Sequence, residues 1–410
     1  MSSTVIAVGT ANRPEILNRC VAAAVEGCSV AREAHWIVLD DSSPPDGALN
    51  LEIVQDWRRS GLQLTYVDRI VEDEIVDSLP GSSFRSSFAH LVARSSSCRA
   101  PGGRNLALLT GLALNPEVLF FVDDDMVHRH EGNCFFHWCA NSNSGGSFVA
   151  APRKLGIRDM TYLNRLLIVL NRHDWSRFIS DRGISAEPAS WYSSENPLWK
   201  CCDSGGGQVS ATVNEREVVS GQLMAIRDGG EEWLPFPSEY NEDVNWSFLQ
   251  SSFHGTPLLR VSAVNARHLP PSLGHSGAEA IVSELVGTAI TRALRQIKPS
   301  GEQPRKTLTG RFQDVLGLAI KQEVFLLLQI EGAIRHRVRT CAADGGAIEI
   351  LSKIERTLVD VSERLKTVDA RRLAIDWLED IEGRRKMFLA LRHNEMIQAL
   401  IRGVLLKASA

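Results

Sequence analysis

Over the first 155 residues, short apolar runs alternate with stretches whose apolar positions recur at helical spacing. Val5-Ile-Ala-Val8, Trp36-Ile-Val-Leu39, residues 62–67, Val118-Leu-Phe-Phe-Val122 and Phe148-Val-Ala-Ala151 read as strands. Residues 14–25, 51–60 and 106–114 read as helices between them, the first opening on Pro14, which suits a first helical turn. Apolar strands joined through helices predict a mostly parallel sheet covered on both faces. Ligands of such sheets gather beyond the carboxyl ends of the strands. Residues 69–101 are serine-rich and without clear periodicity, and are expected to form a loop. Residues 157–216 hold Trp175, Trp191, Tyr192, Trp199 and Gly205-Gly-Gly207, and read either as a binding loop or lid or as a plain surface insertion. From residue 276 the pattern becomes wholly helical, over 278–297, 309–339 and 347 to the end, with Phe312, Leu316, Ile320 and Leu327 in step along the middle stretch. The expected organisation is an α/β domain over 1–275 and an α-helical domain over 276–410.

Composition narrows the class. With 410 residues, 23% charged and 44% hydrophobic, the chain has an ordinary globular balance that excludes wholesale disorder. Its longest unbroken apolar run, residues 20–25, is far short of the roughly 20 residues a bilayer-spanning helix needs, so no membrane span is expected. Residues 1–8 lack a basic leader, so no signal peptide is expected. The eight cysteines, at 20, 28, 98, 134, 139, 201, 202 and 341, form no Cys-x-x-Cys pair. Neither a disulfide framework nor a structural zinc site is expected, and the cytoplasm is the expected compartment. Residues 276–410 carry 22 Lys+Arg against 17 Asp+Glu, leaving the α/β part strongly acidic within a net charge of −4. That distribution disfavours nucleic acid as a partner.

Four motifs carry candidate chemistry. The strongest is Val118-Leu-Phe-Phe-Val-Asp-Asp-Asp-Met126, a buried strand that ends in three carboxylates. Adjacent acids repel unless solvated or neutralised, and a hard divalent ion with oxygen ligands does the latter. Alternation along an extended chain sets Asp123 and Asp125 on one side and Asp124 elsewhere. Asp40-Asp41-Ser42-Ser43 follows another apolar strand; an acid there can accept from a base or ribose hydroxyl, or simply cap a turn. Gly102-Gly-Arg104 precedes a helical stretch: the glycines allow close backbone approach, and Arg104 can pair with phosphate. Glu242 and Asp243 open a further helix, either as dipole-complementing acids or as a general base.

Taken in order, these motifs resemble the metal-dependent GT-A glycosyltransferases, most closely the inverting family 2, over roughly residues 4–275. The resemblance rests on residues 10–14 after the first strand, on Asp40-Asp41-Ser42 and on Gly103-Arg104-Asn105. It also rests on Asp123 to Asp125 and on Ser220-Gly221 followed by Asn241-Glu242-Asp243. It implies a Rossmann-like nucleotide-diphospho-sugar transferase sheet with the helical C-terminal part outside the resemblance. It further implies Thr10 and Arg13 against the nucleotide, Asp41 or Asp40 on the base, Arg104 on base or diphosphate, and Asp123 on ribose or metal. Asp125 would bind Mn2+ or Mg2+, with His268 or His275 recruited to metal or diphosphate. Asp243 would deprotonate the acceptor, with Glu242 as second choice. The implied donor is a nucleotide sugar, a UDP-sugar before a GDP-sugar. No Gln-x-x-Arg-Trp signature of processive synthases is present, which points to transfer of a single sugar to a soluble acceptor. The helical part would cap the acceptor site or make a homodimer. Two competing readings are a nucleotidyltransferase, poorly matched by Gly9-Thr-Ala-Asn-Arg-Pro14, and a non-catalytic nucleotide-sugar-binding or interaction protein.

Overall fold

The computed structural model describes residues 4–94, 100–128, 134–142, 146–152, 166, 210–213, 223–227, 233–238, 242–262, 266–268, 278–297, 304–340 and 345–409. The strands are β1 (Thr4–Thr10), β2 (His35–Asp40), β3 (Gln63–Val67), β4 (Val118–Asp123), β5 (Met126–His128), β6 (Phe148–Pro152), β7 (Ser210–Val213), β8 (Leu223–Arg227), β9 (Leu258–Ser262) and β10 (Ala266–His268). Eight of them form one sheet in the order β3-β2-β1-β4-β8-β6-β9-β7, while β5 and β10 pair separately. The β3-β2-β1-β4 half is all parallel. Strand β8 runs antiparallel between β4 and β6. This is a mostly parallel α/β sheet with antiparallel additions at β8 and β7.

The parallel half is apolar because helices cover both of its faces, and alternation along each strand sends successive residues to opposite layers. Ile6, Val8, Trp36 and Val38 pack with α1 (Pro14–Gly27), α2 (Ser29–Glu33), α3 (Pro44–Arg59) and α7 (Phe135–Asn141). Val5, Ala7, Ile37 and Leu39 face the other way, onto α4 (Arg69–Ser78), α5 (Gly81–Val92) and α6 (Ala100–Ala113). Among the described residues one disulfide, Cys28–Cys134, ties the α1–α2 turn to the start of α7. Sequence spacing did not reveal it, because the two cysteines are 106 positions apart. None of the helices described is long and apolar enough to cross a membrane.

The expected loop over 69–101 is instead largely helical, as α4 and α5. Asp68 caps α4 by accepting from the Val71 amide, and Gly81, at φ +73°, makes the turn between the helices. Ile75, Phe88, Leu91 and Val92 are buried, while Ser82, Ser83 and Ser86 are exposed. Helix α6 also starts earlier than expected, at Ala100. Gly102 serves packing there, not ligand approach: a Cβ would lie 2.4 Å from the Ala93 carbonyl oxygen. Residues 157–216, apart from 166 and β7, lie outside the described residues.

After α8 (Glu242–His254) come α9 (Ala278–Gln296), α10 (Pro304–Thr340), α11 (Gly345–Lys366), α12 (Ala370–Arg392) and α13 (Glu395–Ala408). Helices α9, α10 and α11 share an apolar core of their own. Helices α12 and α13 instead contribute Trp377, Phe388, Ile397 and Ile401 to the core beneath the sheet. Arg402 Nε donates to the Ala113 carbonyl at 2.6 Å, and Arg58 donates to the Ala408 carbonyl beside β3.

Gly102→Ala is expected to lower the unfolding free energy by about 1–3 kcal/mol through its backbone clash. Gly103→Ala, where an added Cβ meets nothing within 4 Å, should be neutral or stabilising. Urea unfolding of both variants checks the contrast.

Candidate active site

Strand order reverses at β1: β2 and β3 lie to one side and β4 to the other. In open α/β sheets ligands gather at such a switch point, here the crevice at the carboxyl ends of β1 and β4. Gly9 and Asp123 are register partners there, so the loop after β1 faces the acidic turn after β4. Beyond Asp123 the chain turns at Asp124 and Asp125 and enters β5.

The two loops are locked together. Thr10 Oγ1 donates to Asp124 Oδ2 at 2.6 Å, and Arg13 Nη2 lies 2.8 Å from Asp124 Oδ1 and Nη1 3.9 Å from Asp125 Oδ2. Burial pushes the Asp124 carboxyl up to about 7 although Arg13 opposes it. Thr10 and Arg13 thus hold the acidic turn. Asn12 sits at φ 55°, a conformation asparagine tolerates better than most residues. Its amide donates to Ser42 Oγ at 2.7 Å and its Oδ1 accepts from the Ser43 amide at 2.7 Å, joining the loops after β1 and β2.

The two acids after β2 differ in environment. Asp40 is buried and accepts from the Ser42 amide at 2.9 Å, from Asn50 Nδ2 at 3.0 Å and from the Tyr66 hydroxyl. Its carboxylate is built into the floor of the loop. Asp41 lies 2.7 Å from Arg69 Nη2 and 3.9 Å from Arg94 Nη1, and Arg94 also reaches Glu72 at 2.8 Å.

Arg104 stands on the other side of the acidic turn. From α6 its Nε reaches Glu242 Oε1 at 2.7 Å and its Nη2 reaches Asp123 Oδ1 at 3.4 Å. Burial works against its charge, but Asp123, Glu242 and Asp243 more than offset that, and the guanidinium pKa is raised. Burial, opposed by Arg104 and aided by Asp243, lifts Glu242 to about 7. One guanidinium serves several carboxylates, so it stays charged. Asp243 is more exposed than Glu242.

The neighbour of Arg104 aligns the chain entering α8. Asn105 Oδ1 accepts from the Phe236 amide at 2.7 Å, and its Nδ2 donates to the carbonyls of Phe236 at 3.0 Å and Leu91 at 3.1 Å. Trp246 Nε1 donates to the Leu234 carbonyl at 2.6 Å, and its ring stacks on Phe236. Ser238 Oγ donates to Asp380 Oδ2 on α12 at 3.0 Å.

Of the residues the sequence singled out, Thr10, Arg13, Arg104, Asp123, Asp125, Glu242 and Asp243 thus form one cluster, with Asp41 beside it on the β2 loop. Strand β10 aligns the His268 backbone with Met126, directly after the acidic turn. His275, Ser220, Gly221 and Asn241 lie outside the described residues. Asn12, Arg69, Arg94 and Asn105 received no role from the sequence. Asn12 and Asn105 lie inside quoted motifs, but their work is bonding to distant backbone and side-chain groups.

Among the described residues no group of three or more His, Cys, Asp or Glu is arranged to hold a metal. The donor chemistry nevertheless suits a hard divalent cation. Asp124 is engaged by Thr10 and Arg13, while the Asp123 side chain is 38% exposed. Five carboxylates, of Asp123, Asp124, Asp125, Glu242 and Asp243, crowd around the guanidinium groups of Arg13 and Arg104. Magnesium-type ions are commonly held by one or two carboxylates, with water and substrate phosphates completing the shell.

No protein-family model and no curated protein matches the chain. Among solved structures it is similar to the mannosyltransferase PcManGT from Pyrobaculum calidifontis, in complex with GDP-Man and Mn2+, at 12% identity and TM-score 0.39, over 92% of this chain and 88% of that one. It is also similar to S. aureus TarS, at 13% identity and TM-score 0.38, over 92% of this chain and 55% of that one. Both are too distant to carry an argument about this chain's chemistry.

Because the folded-state pKa of Glu242 lies above its ordinary 4.5, its contribution to stability is full below that value and lost as pH rises through about 7. Glu242→Gln is therefore expected to gain stability relative to the natural chain between about pH 5 and about pH 8. Urea unfolding at both pH values tests this, and a gap that does not change with pH would contradict it.

Proposed function

We propose that this chain is a divalent-metal-dependent glycosyltransferase that moves one sugar from a nucleotide-diphosphate donor to an acceptor hydroxyl, with inversion at the anomeric carbon. The observation that carries the reading is the convergence of Asp123, Arg104 and Asp243 at the switch point between β1 and β4, with Asp125 next to Arg13 in the same acidic turn. The resemblance read from the sequence implies a UDP-sugar or GDP-sugar donor and a soluble acceptor.

In this reading each residue takes a role suited to its surroundings. Asp41, paired with Arg69, lines the base end of the crevice beyond β2. Asp123 and Asp125 would hold Mn2+ or Mg2+, which when bound supplies Lewis-acid stabilisation of the departing diphosphate. Arg104 remains cationic at the same place and stabilises the charge that grows on the leaving group. Thr10 and Arg13 keep the acidic turn closed from below by engaging Asp124. Asp243, more exposed than Glu242, accepts the proton of the attacking hydroxyl as general base. Glu242 orients Arg104 through the 2.7 Å ion pair.

With UDP- and GDP-sugars as donors, Asp243→Asn is expected to cut nucleoside diphosphate release by about 10²–10⁴-fold while leaving nucleotide affinity unchanged. Chromatography of the products checks both points. Pyrophosphate as the product would replace this reading with nucleotidyl transfer. Loss of release in Glu242→Gln but not in Asp243→Asn would move the base to Glu242.

A further inference from the structure

Helix α10 buries one side against its neighbours through Phe312, Leu316, Ile320, Leu327, Ile330 and Ile334. Its opposite side carries a second regular pattern. Residues 311, 314, 318, 321, 325, 328, 332, 335 and 339 are all exposed, stepping alternately by three and four. That is the period of a coiled-coil seam, and at the helical rise it runs for about 40 Å. Its centre is apolar: Leu318 is 58% exposed, Phe325 62% and Leu328 48%. Phe325 is the only aromatic among the large hydrophobic residues exposed in the described chain.

We propose that this face is a homodimer interface, in which α10 packs antiparallel against α10 of a second copy of the chain. The charge pattern selects both partner and direction. Asp314 lies near one end of the seam, one step inside Arg311, and Arg335 and Arg339 lie at the other end. An antiparallel two-fold that seats Phe325 against the second copy's Leu328 also sets Asp314 opposite that copy's Arg339. Leu318 then meets the alkyl stem of Arg335, whose guanidinium is held by Glu355 of its own chain at 2.6 Å. Lys321 falls over Gly332, where there is no side chain to clash and the surroundings are open. Two-fold symmetry repeats every contact, so the single pattern satisfies itself. A parallel pairing would stack Asp314, Lys321, Arg335 and Arg339 on their own kind, which is repulsive at each level. This proposal does not rest on the catalytic reading, because the seam lies on the side of α10 away from the residues it shares with the core beneath the sheet.

Sedimentation velocity of the full chain over a concentration series tests it. The natural chain is expected to sediment as a species of twice its 45.2 kDa mass. Phe325→Glu should weaken association at least about tenfold, as expected for a central anchor, with an unchanged helical circular-dichroism spectrum. Asp314→Arg should also weaken the dimer, and adding Arg339→Asp to it should restore association. A natural chain that stays monomeric at every concentration, or a dimer indifferent to Phe325→Glu, overturns the proposal. Failure of the charge exchange to restore association overturns the antiparallel register.

Discussion

The buried guanidinium of Arg104 holds together parts of the fold that no sheet hydrogen bond connects. It joins the acidic turn after β4, through Asp123, to the first residue of α8, through Glu242. Burying a charge is costly unless it is paired, and removing one partner from such a set typically costs about 3–5 kcal/mol. The arrangement is therefore weakened when a member is removed. It also fixes Asp243, the residue after Glu242, relative to Asp123. Asn105, the next residue on α6, reinforces the placement by bonding to both backbone groups of Phe236.

Other contacts make that arrangement rigid. Helix α6 packs closely on its neighbours because Gly102 and Gly111 leave no room for side chains against the Ala93 carbonyl and Leu119. Helices α12 and α13 brace α6 and α5 from outside, sharing one apolar core with the parallel strands. Asp380 on α12 accepts from Ser238 at 3.0 Å and pairs with Arg384 at 2.7 Å, so the helical end of the chain touches the segment that leads into α8. On the other side of the crevice, Asn12, Ser42 and Ser43 hold the loops after β1 and β2 in place.

What could be read from the residues follows from which forces leave a local pattern. The apolar strands 5–8, 36–39 and 118–122 were legible because burial on both faces demands continuous hydrophobicity, and all three lie within observed strands. The acidic turn stood out because three adjacent carboxylates that repel one another follow a wholly apolar run. Helix α5 was hidden because Ser82, Ser83 and Ser86 on its outer side diluted the apolar period. Asp40 and Asp41 looked equivalent as adjacent acids, yet Tyr66 and Asn50, distant in the chain, take up one and Arg69 the other. The Arg104–Glu242 pair spans 138 positions, so no spacing rule reveals it.

The most direct test of the active-site assignment is calorimetric titration of UDP and GDP, with and without Mn2+, into the natural chain and Asp125→Ala. The account predicts that one of the two nucleotides binds in a Mn2+-dependent manner and that Asp125→Ala abolishes the metal dependence. No binding by the natural chain, or binding indifferent to both the metal and the substitution, would contradict it.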